Sequence, residues 1–214
     1  MGKYSQGILG AFSGKVGTVV GASWRGIKYM RSLAAKRGNS RASEKQLEQQ
    51  ARFALIAGFL RPVKPLLELG FKSYAVGKTG YNSASSYNLK NALTGQIPNL
   101  QIDYSMVLVS RGDLVGAKSL SVSSATATQL DIVWQDNSGQ AKAKPEDQLI
   151  VAVFFPALGE AAYVIGAVER QEESFVYELP AEYSGETAEV YISWVSADEK
   201  EVATSVHAGS VLIA

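Results

Sequence analysis

Between residues 43 and 60 the apolar side chains Leu47, Ala51, Leu55 and Phe59 recur at every fourth position and share one face of a helix. Ser43, followed three residues later by Gln46, supplies a capping-box start, and the spacing predicts a helix over about 44–60. Pro62 and Pro65 end or kink it. Leu66, Leu67, Leu69, Phe71 and Tyr74 then predict a second apolar helix that stops before Gly77. Ser83 could cap a third, short one through Leu93, ended by Gly95. The pattern before residue 43 is different. Glycines at 7, 10, 14, 17 and 21 disfavour a helix and suit a loop or a Gly-rich strand. Val16, Val19, Val20, Trp24, Ile27 and Tyr29 are β-formers interrupted at Arg25-Gly26, which predicts a hairpin over 15–32. Residues 33–42 form a basic linker without periodicity.

Beyond Pro98 the period shifts from 3.6 to 2. Segments 104–110, 117–123, 128–135, 148–155, 161–168, 174–179, 187–195 and 202–213 are rich in β-branched and aromatic residues. Turn signals such as Asp136-Asn137-Ser138-Gly139 and Tyr183-Ser184-Gly185 separate them. Seven or eight short antiparallel strands predict a fibronectin-III or immunoglobulin-like β-sandwich, with Trp134 and Tyr191 as candidate core aromatics. The expected class is α+β in three parts: a Gly-rich basic arm or hairpin (1–42), a helical region (43–97) and the sandwich (98–214).

Composition narrows the chemistry. At 214 residues, 46% of them hydrophobic, the chain can bury a core without disulfides or metal. With no Cys and one His, a thiolate nucleophile and the usual zinc and non-haem iron sites lack their ligands, and no cofactor is expected. No apolar run approaches the roughly 20 residues of a membrane-spanning helix. The N-terminus lacks the apolar region of a secretory signal, and Gln6 stands where a myristoylation pattern needs Ser or Thr. The expectation is a cytoplasmic protein, or one built into a particle assembled there, with no membrane partner.

The net charge of +1 conceals a division. Residues 1–115 hold 16 Lys and Arg against 5 Asp and Glu, a net of +11, while residues 116–214 hold 5 against 15, a net of −10. Within the first 41 residues Lys3, Lys15, Arg25, Lys28, Arg31, Lys36, Arg37 and Arg41 meet no acidic side chain. Such a split points to a polyanionic partner, to contact between the halves, or to head-to-tail contact between copies.

Four strings occur together: GILGAFSGKVGTVVGASWRGIKYMRS, EKQLEQQARFAL, GFKSYAVGKTGYNSASSYNLKNALTG and EVYISWVSADEKEVATSVHAGSV. Together they resemble a family of Bacteroidota proteins defined by a domain of unknown function and of about this length. The resemblance implies a shared two-part layout and carries over no activity or catalytic residue. The N-terminal block of Gly-Lys, Trp-x-Gly and basic residues also resembles bacteriophage structural proteins.

Catalytic motifs meet plain alternatives. A Ser-His-Asp triad would need His207, yet no G-x-S-x-G elbow occurs and His207 lies in an alternating strand pattern. Gly77-Lys78-Thr79 has the end of a phosphate loop, but Lys72 stands where its first glycine belongs and a helix precedes it in place of a strand. Arg111-Gly112-Asp113 reads as a turn entering the sandwich, and Glu172, Glu173, Glu182, Glu186 and Asp198 as a solvated acidic face. No enzyme is expected. The expectation is a structural or scaffold protein, part of a phage-like or other large assembly, that self-associates through its basic half. Val16, Val19, Val20, Trp24, Ile27 and Tyr29 would make the contacts, with Arg25, Lys28 and Arg31 choosing the partner. The alternative is a nucleic-acid-binding accessory protein with backbone-led, weakly sequence-specific binding through the same cations.

Overall fold

The computed structural model describes residues 2–4, 10–24, 26–34 and 42–214. The chain divides into two compact units, Met1–Ser43 and Glu44–Ala214.

The first unit is an antiparallel meander of β1 (Lys3–Tyr4), β2 (Phe12–Val16), β3 (Val19–Trp24) and β4 (Ile27–Ser32), hydrogen-bonded in that order. Gly17, at φ +57, makes the two-residue turn from β2 to β3, a conformation glycine adopts without strain. The β3–β4 pairing runs in unbroken register from Val19↔Ser32 to Trp24↔Ile27. Arg25, the first residue of the predicted turn, lies outside the described residues, as does most of the predicted linker at 33–42.

The second unit stacks three layers. Helices α1 (Glu44–Leu60), α2 (Lys64–Gly70) and α3 (Gly80–Asn91) form the first, followed by a two-stranded ladder of β5 (Leu93–Thr94) and β6 (Gln101–Ile102). Seven further strands are β7 (Lys118–Ser123), β8 (Gln129–Gln135), β9 (Gln148–Phe155), β10 (Glu160–Glu169), β11 (Ser174–Glu178), β12 (Thr187–Val195) and β13 (Val206–Leu212). They form a four-stranded sheet, β10-β9-β12-β13, and a three-stranded sheet, β11-β8-β7, both antiparallel. The first, second and fifth of these strands lie in one sheet and the other four in the second, an immunoglobulin-like sandwich arrangement.

The four-stranded sheet is the middle layer, so its central strands are buried on both faces. One face of β9 and β12 presents Leu149, Val151, Val153, Val190, Ile192 and Trp194 to Leu130, Ile132 and Trp134 of the other sheet. The opposite face presents Ile150, Ala152, Phe154 and Tyr191 to Ile56, Leu60, Leu66 and Leu67 of the helices. Tyr191, expected in the core, is buried there against the helical layer. The helical region and the sandwich thus share one core, and the division of the chain falls at Ser43.

Three local expectations need correction. Segment 104–110 is not a strand: Tyr104–Met106 is a 3-10 turn, and the extended residues after it are held by side chains. Asn88, fully buried, donates to Leu108 O and accepts from Leu108 N, both at 3.0 Å, while Ser205 Oγ accepts from Val109 N at 3.0 Å. The third helix begins after Thr79, whose Oγ1 accepts from Asn82 N at 3.1 Å; Ser83 lies inside the helix and donates to Tyr74 O. The last strand starts at Val206, residues 202 and 203 contributing isolated bridges only.

Asn88→Ala strands the N–H and C=O of Leu108 without partners. We expect a loss of about 2–3 kcal/mol in urea unfolding, against little change for Asn91→Ala, whose exposed amide bonds only Tyr87 O one turn back.

Candidate functional site

Alternation along β3 and β4 assigns each side chain to a face of the N-terminal sheet. Directly paired residues share a face, so Trp24 and Ile27, Ala22 and Tyr29, and Val20 and Arg31 line one side. Ser23 and Lys28, Gly21 and Met30, and Val19 and Ser32 line the other. Val16 pairs with Val19 and joins the second face, and Lys15 pairs with Val20 and joins the first. The residues expected to make contacts are therefore divided between two surfaces.

Both surfaces are open. Trp24 is 49% exposed, Ile27 65%, Tyr29 44% and Met30 71%, and every residue of β4 is exposed. Val16, Val19, Lys28 and Arg31 are exposed as well, and Val20 is half-buried. Among the described residues of this unit only Gly21 is buried, so the sheet has no core of its own. Met30, the most exposed apolar side chain of β4, falls between Tyr29 and Arg31 in the sequence; the same alternation that places Ile27 and Tyr29 on one face exposes it on the other. The first 43 residues carry eight Lys and Arg and no acid, a net of +8, and the remaining 171 carry 13 against 20, a net of −7.

In the second unit the motifs that suggest chemistry have structural uses. Glu189 Oε2 sits 2.7 Å from His207 Nε2, and Ser210 Oγ donates to Glu189 Oε1 at 2.6 Å. The carboxylate thus stands between hydroxyl and imidazole. A catalytic triad needs the imidazole in the middle, where it can take the hydroxyl proton.

At Gly77-Lys78-Thr79 the N-terminus of α3 is already filled. Glu68 Oε2 accepts from Gly80 N at 2.8 Å, which puts a carboxylate where a phosphate would bind. Arg111 lies over the rings of Tyr74 and Tyr87, at 4.3 and 5.4 Å from their centroids. A Cβ on the adjacent Gly112 would stand 2.1 Å from Val202 O, so close backbone packing requires glycine there. Glu173 accepts from Asp136 N, and Asp198 pairs with Lys200 at 2.8 Å. Among the described residues no group of three or more His, Cys, Asp or Glu could hold a metal ion, and no helix is long and apolar enough to cross a membrane.

Over residues 11–209 the sequence matches the model of a family of unknown function, DUF6266. The chain belongs to that family. The match takes in residues of both units, from 11 in the first to 209 in the second. No curated protein matches this DUF6266 chain. Among solved structures it is similar to the fn3 domain of the human collagen alpha-1(XX) chain, at 15% identity over 47% of this chain and 85% of that one, with a TM-score of 0.35.

Proposed function

We propose that this DUF6266 protein is a non-enzymatic assembly component whose N-terminal sheet binds another copy of the chain. The observation that carries the reading is the openness of that sheet: β4 is exposed along its whole length with Ile27, Tyr29 and Met30 uncovered. A unit of this size with no core of its own gains stability by association, and exposed apolar surface of this kind marks an interaction site. The charge division supports a second copy as the partner, because a +8 segment and a −7 segment in every molecule attract each other between molecules. Burial of Trp24, Ile27, Tyr29 and Met30 supplies the affinity, and Lys28 and Arg31 the selectivity.

One observation favours nucleic acid as a second reading. Trp24 and Tyr29 share a face with Lys15 and Arg31, and a face that carries both aromatics and cations suits stacking on a single strand.

Light scattering after size exclusion separates the two. We expect a mass above the 22.9 kDa of one chain at about 50 mM salt, falling towards it at about 500 mM as ions screen the attraction, with no nucleic-acid absorbance. A monomer under both conditions defeats the assembly reading. Absorbance at 260 nm that travels with the protein and is lost in salt favours the second.

A further inference from the structure

We propose that the outer edge of β4 in one molecule adds to the outer edge of β11 in another, so that copies join head to tail. The inference rests on the self-association reading and names its two surfaces.

An edge strand presents unpaired N–H and C=O groups to any chain that can match them, and proteins commonly blunt such edges with bulges, short strands or charge. Among the described residues the sandwich has four edges, β10, β13, β11 and β7. Three are irregular: β10 shifts register between Ile165 and Glu169, β7 between Lys118 and Ser121, and the β12–β13 pair between Val190 and Tyr191. The fourth, β11, pairs with β8 without a break from Ser174 to Glu178. In the N-terminal sheet β1 is two residues long, whereas β4 is regular over six. Among the described residues two clean edges remain, one on each unit.

The charges on those edges are opposite. Lys28 and Arg31 lie in β4, whereas β11 ends in Glu178 and follows Glu172 and Glu173. Two β4 edges together would gather four cations and no anion, and two β11 edges only carboxylates, so like pairing is opposed and unlike pairing favoured.

The backbone fixes a register. Leu33 N donates to Thr18 O, so the odd-numbered residues of β4 face β3, and Lys28, Met30 and Ser32 turn their N–H and C=O outward. In β11, Leu179 N donates to Thr128 O and Glu173 O accepts from Trp134 N, so Ser174, Val176 and Glu178 point outward. Antiparallel docking with Met30 opposite Val176 aligns the two outward sets. It places Lys28 against Glu178 and covers two exposed apolar side chains, Met30 at 71% and Val176 at 50%. Tyr29 then faces Tyr177, and Arg31 the ring of Phe175. The contact is heterologous and propagates into a ring or a filament.

Proline at Met30 or Val176 removes only an outward N–H, which an edge strand tolerates. Full-length Met30→Pro has a dead β4 and an intact β11, and Val176→Pro the reverse. Each alone is expected to be monomeric by light scattering where the unaltered protein is multimeric, while an equimolar mixture gives a dimer of twice 22.9 kDa and nothing larger.

If the unaltered protein is multimeric and either proline variant remains so, or the mixture stays monomeric, the edge contact is wrong and self-association stands. An unaltered protein that is monomeric at all concentrations overturns both. A multimer that dissolves when nucleic acid is digested overturns the contact in favour of a nucleic-acid bridge. If Val176→Pro fails to fold by circular dichroism, Glu178→Lys replaces it. That variant should lose assembly and regain it when Lys28→Glu is added to the same chain.

Discussion

Arg170→Ala should destabilise the second unit by about 3–5 kcal/mol, lowering its melting temperature by roughly 10–15 °C. The guanidinium is fully buried and fully used. Its Nη2 lies 3.1 Å from Asp147 Oδ2 and donates to Val115 O at 3.0 Å, Nε donates to Asp147 Oδ2 at 3.2 Å, and Nη1 to Asn137 Oδ1 at 2.6 Å. Its plane covers the ring of Trp194 at 4.4 Å. The backbone of Arg170 also accepts from Trp134 Nε1 at 2.7 Å and donates to Asp147 O at 2.8 Å. One residue thus ties β8, the loop before β9 and the segment before β7 together. Burial lowers the guanidinium's pKa from its usual value and Asp147 pushes it back up, and arginine remains charged. Removing it leaves Asp147, 1% exposed, as a buried carboxylate without its counterion. Thermal and urea unfolding would show this, and a second comparison identifies the cause. Arg170→Met with Asp147→Leu should be more stable than either single change, because the double variant buries no lone charge. If the double variant loses the sum of the singles, the isolated charge is not what destabilises them.

No feature of the sequence sets Arg170 apart from the other cations of the acidic half. Its burial follows from the meeting of a 3-10 turn, Arg170–Glu172, with loops 23 and 55 positions away, a long-range event that local pattern does not encode. Most strands were legible because period-2 alternation is local, and the extent of the first helix for the same reason at period 3.6, although the face it buries is that of Ile56 and Leu60, while Leu47 and Ala51 are exposed. The continuous apolar run of β9, LIVAVFF after Gln148, carried more than its place in a sandwich: a strand apolar at consecutive positions is covered on both faces. That run announces the helical layer, and it explains why the helices and the sandwich share a core. Segment 104–110 misled because its apolar residues, Val107 and Val109 among them, are buried by an extended stretch whose backbone bonds to Asn88 and Ser205 side chains. Hydrophobicity reports burial and does not report which partner satisfies the amide. At the N-terminal sheet the β-formers were legible as a hairpin. Their division between two faces, and the exposure of Met30, depend on the register that the strand pairing supplies.

Raising the pH above about 10 should destabilise the second unit, and Tyr191→Phe should lessen that loss while costing stability at neutral pH. Tyr191 is fully buried and its hydroxyl donates to Tyr104 O at 2.8 Å. Burial, with the carboxylate of Glu189 adding to it, pushes its pKa far above the ordinary tyrosine value. Tyr104, Tyr177 and Tyr183 are raised as well, each first by burial. A tyrosine whose folded pKa is raised keeps its proton in the folded state while the unfolded chain begins to lose it near pH 10. The contribution of Tyr191 to stability is therefore complete below pH 10 and declines as the pH rises towards the folded pKa, at about 1.4 kcal/mol per pH unit. Between pH 10 and 12 Tyr191 alone accounts for roughly 2.5 kcal/mol of that decline. Phenylalanine at 191 gives up one hydrogen bond, about 1 kcal/mol at pH 7, and removes the ionisable group. The two stability curves should consequently cross near pH 11, with the variant the more stable above it. Urea midpoints measured at intervals from pH 7 to 12 would show the crossing. Parallel curves would mean that Tyr191 ionises in the folded protein as readily as in water, and that its buried hydroxyl is not what makes the unit sensitive to base.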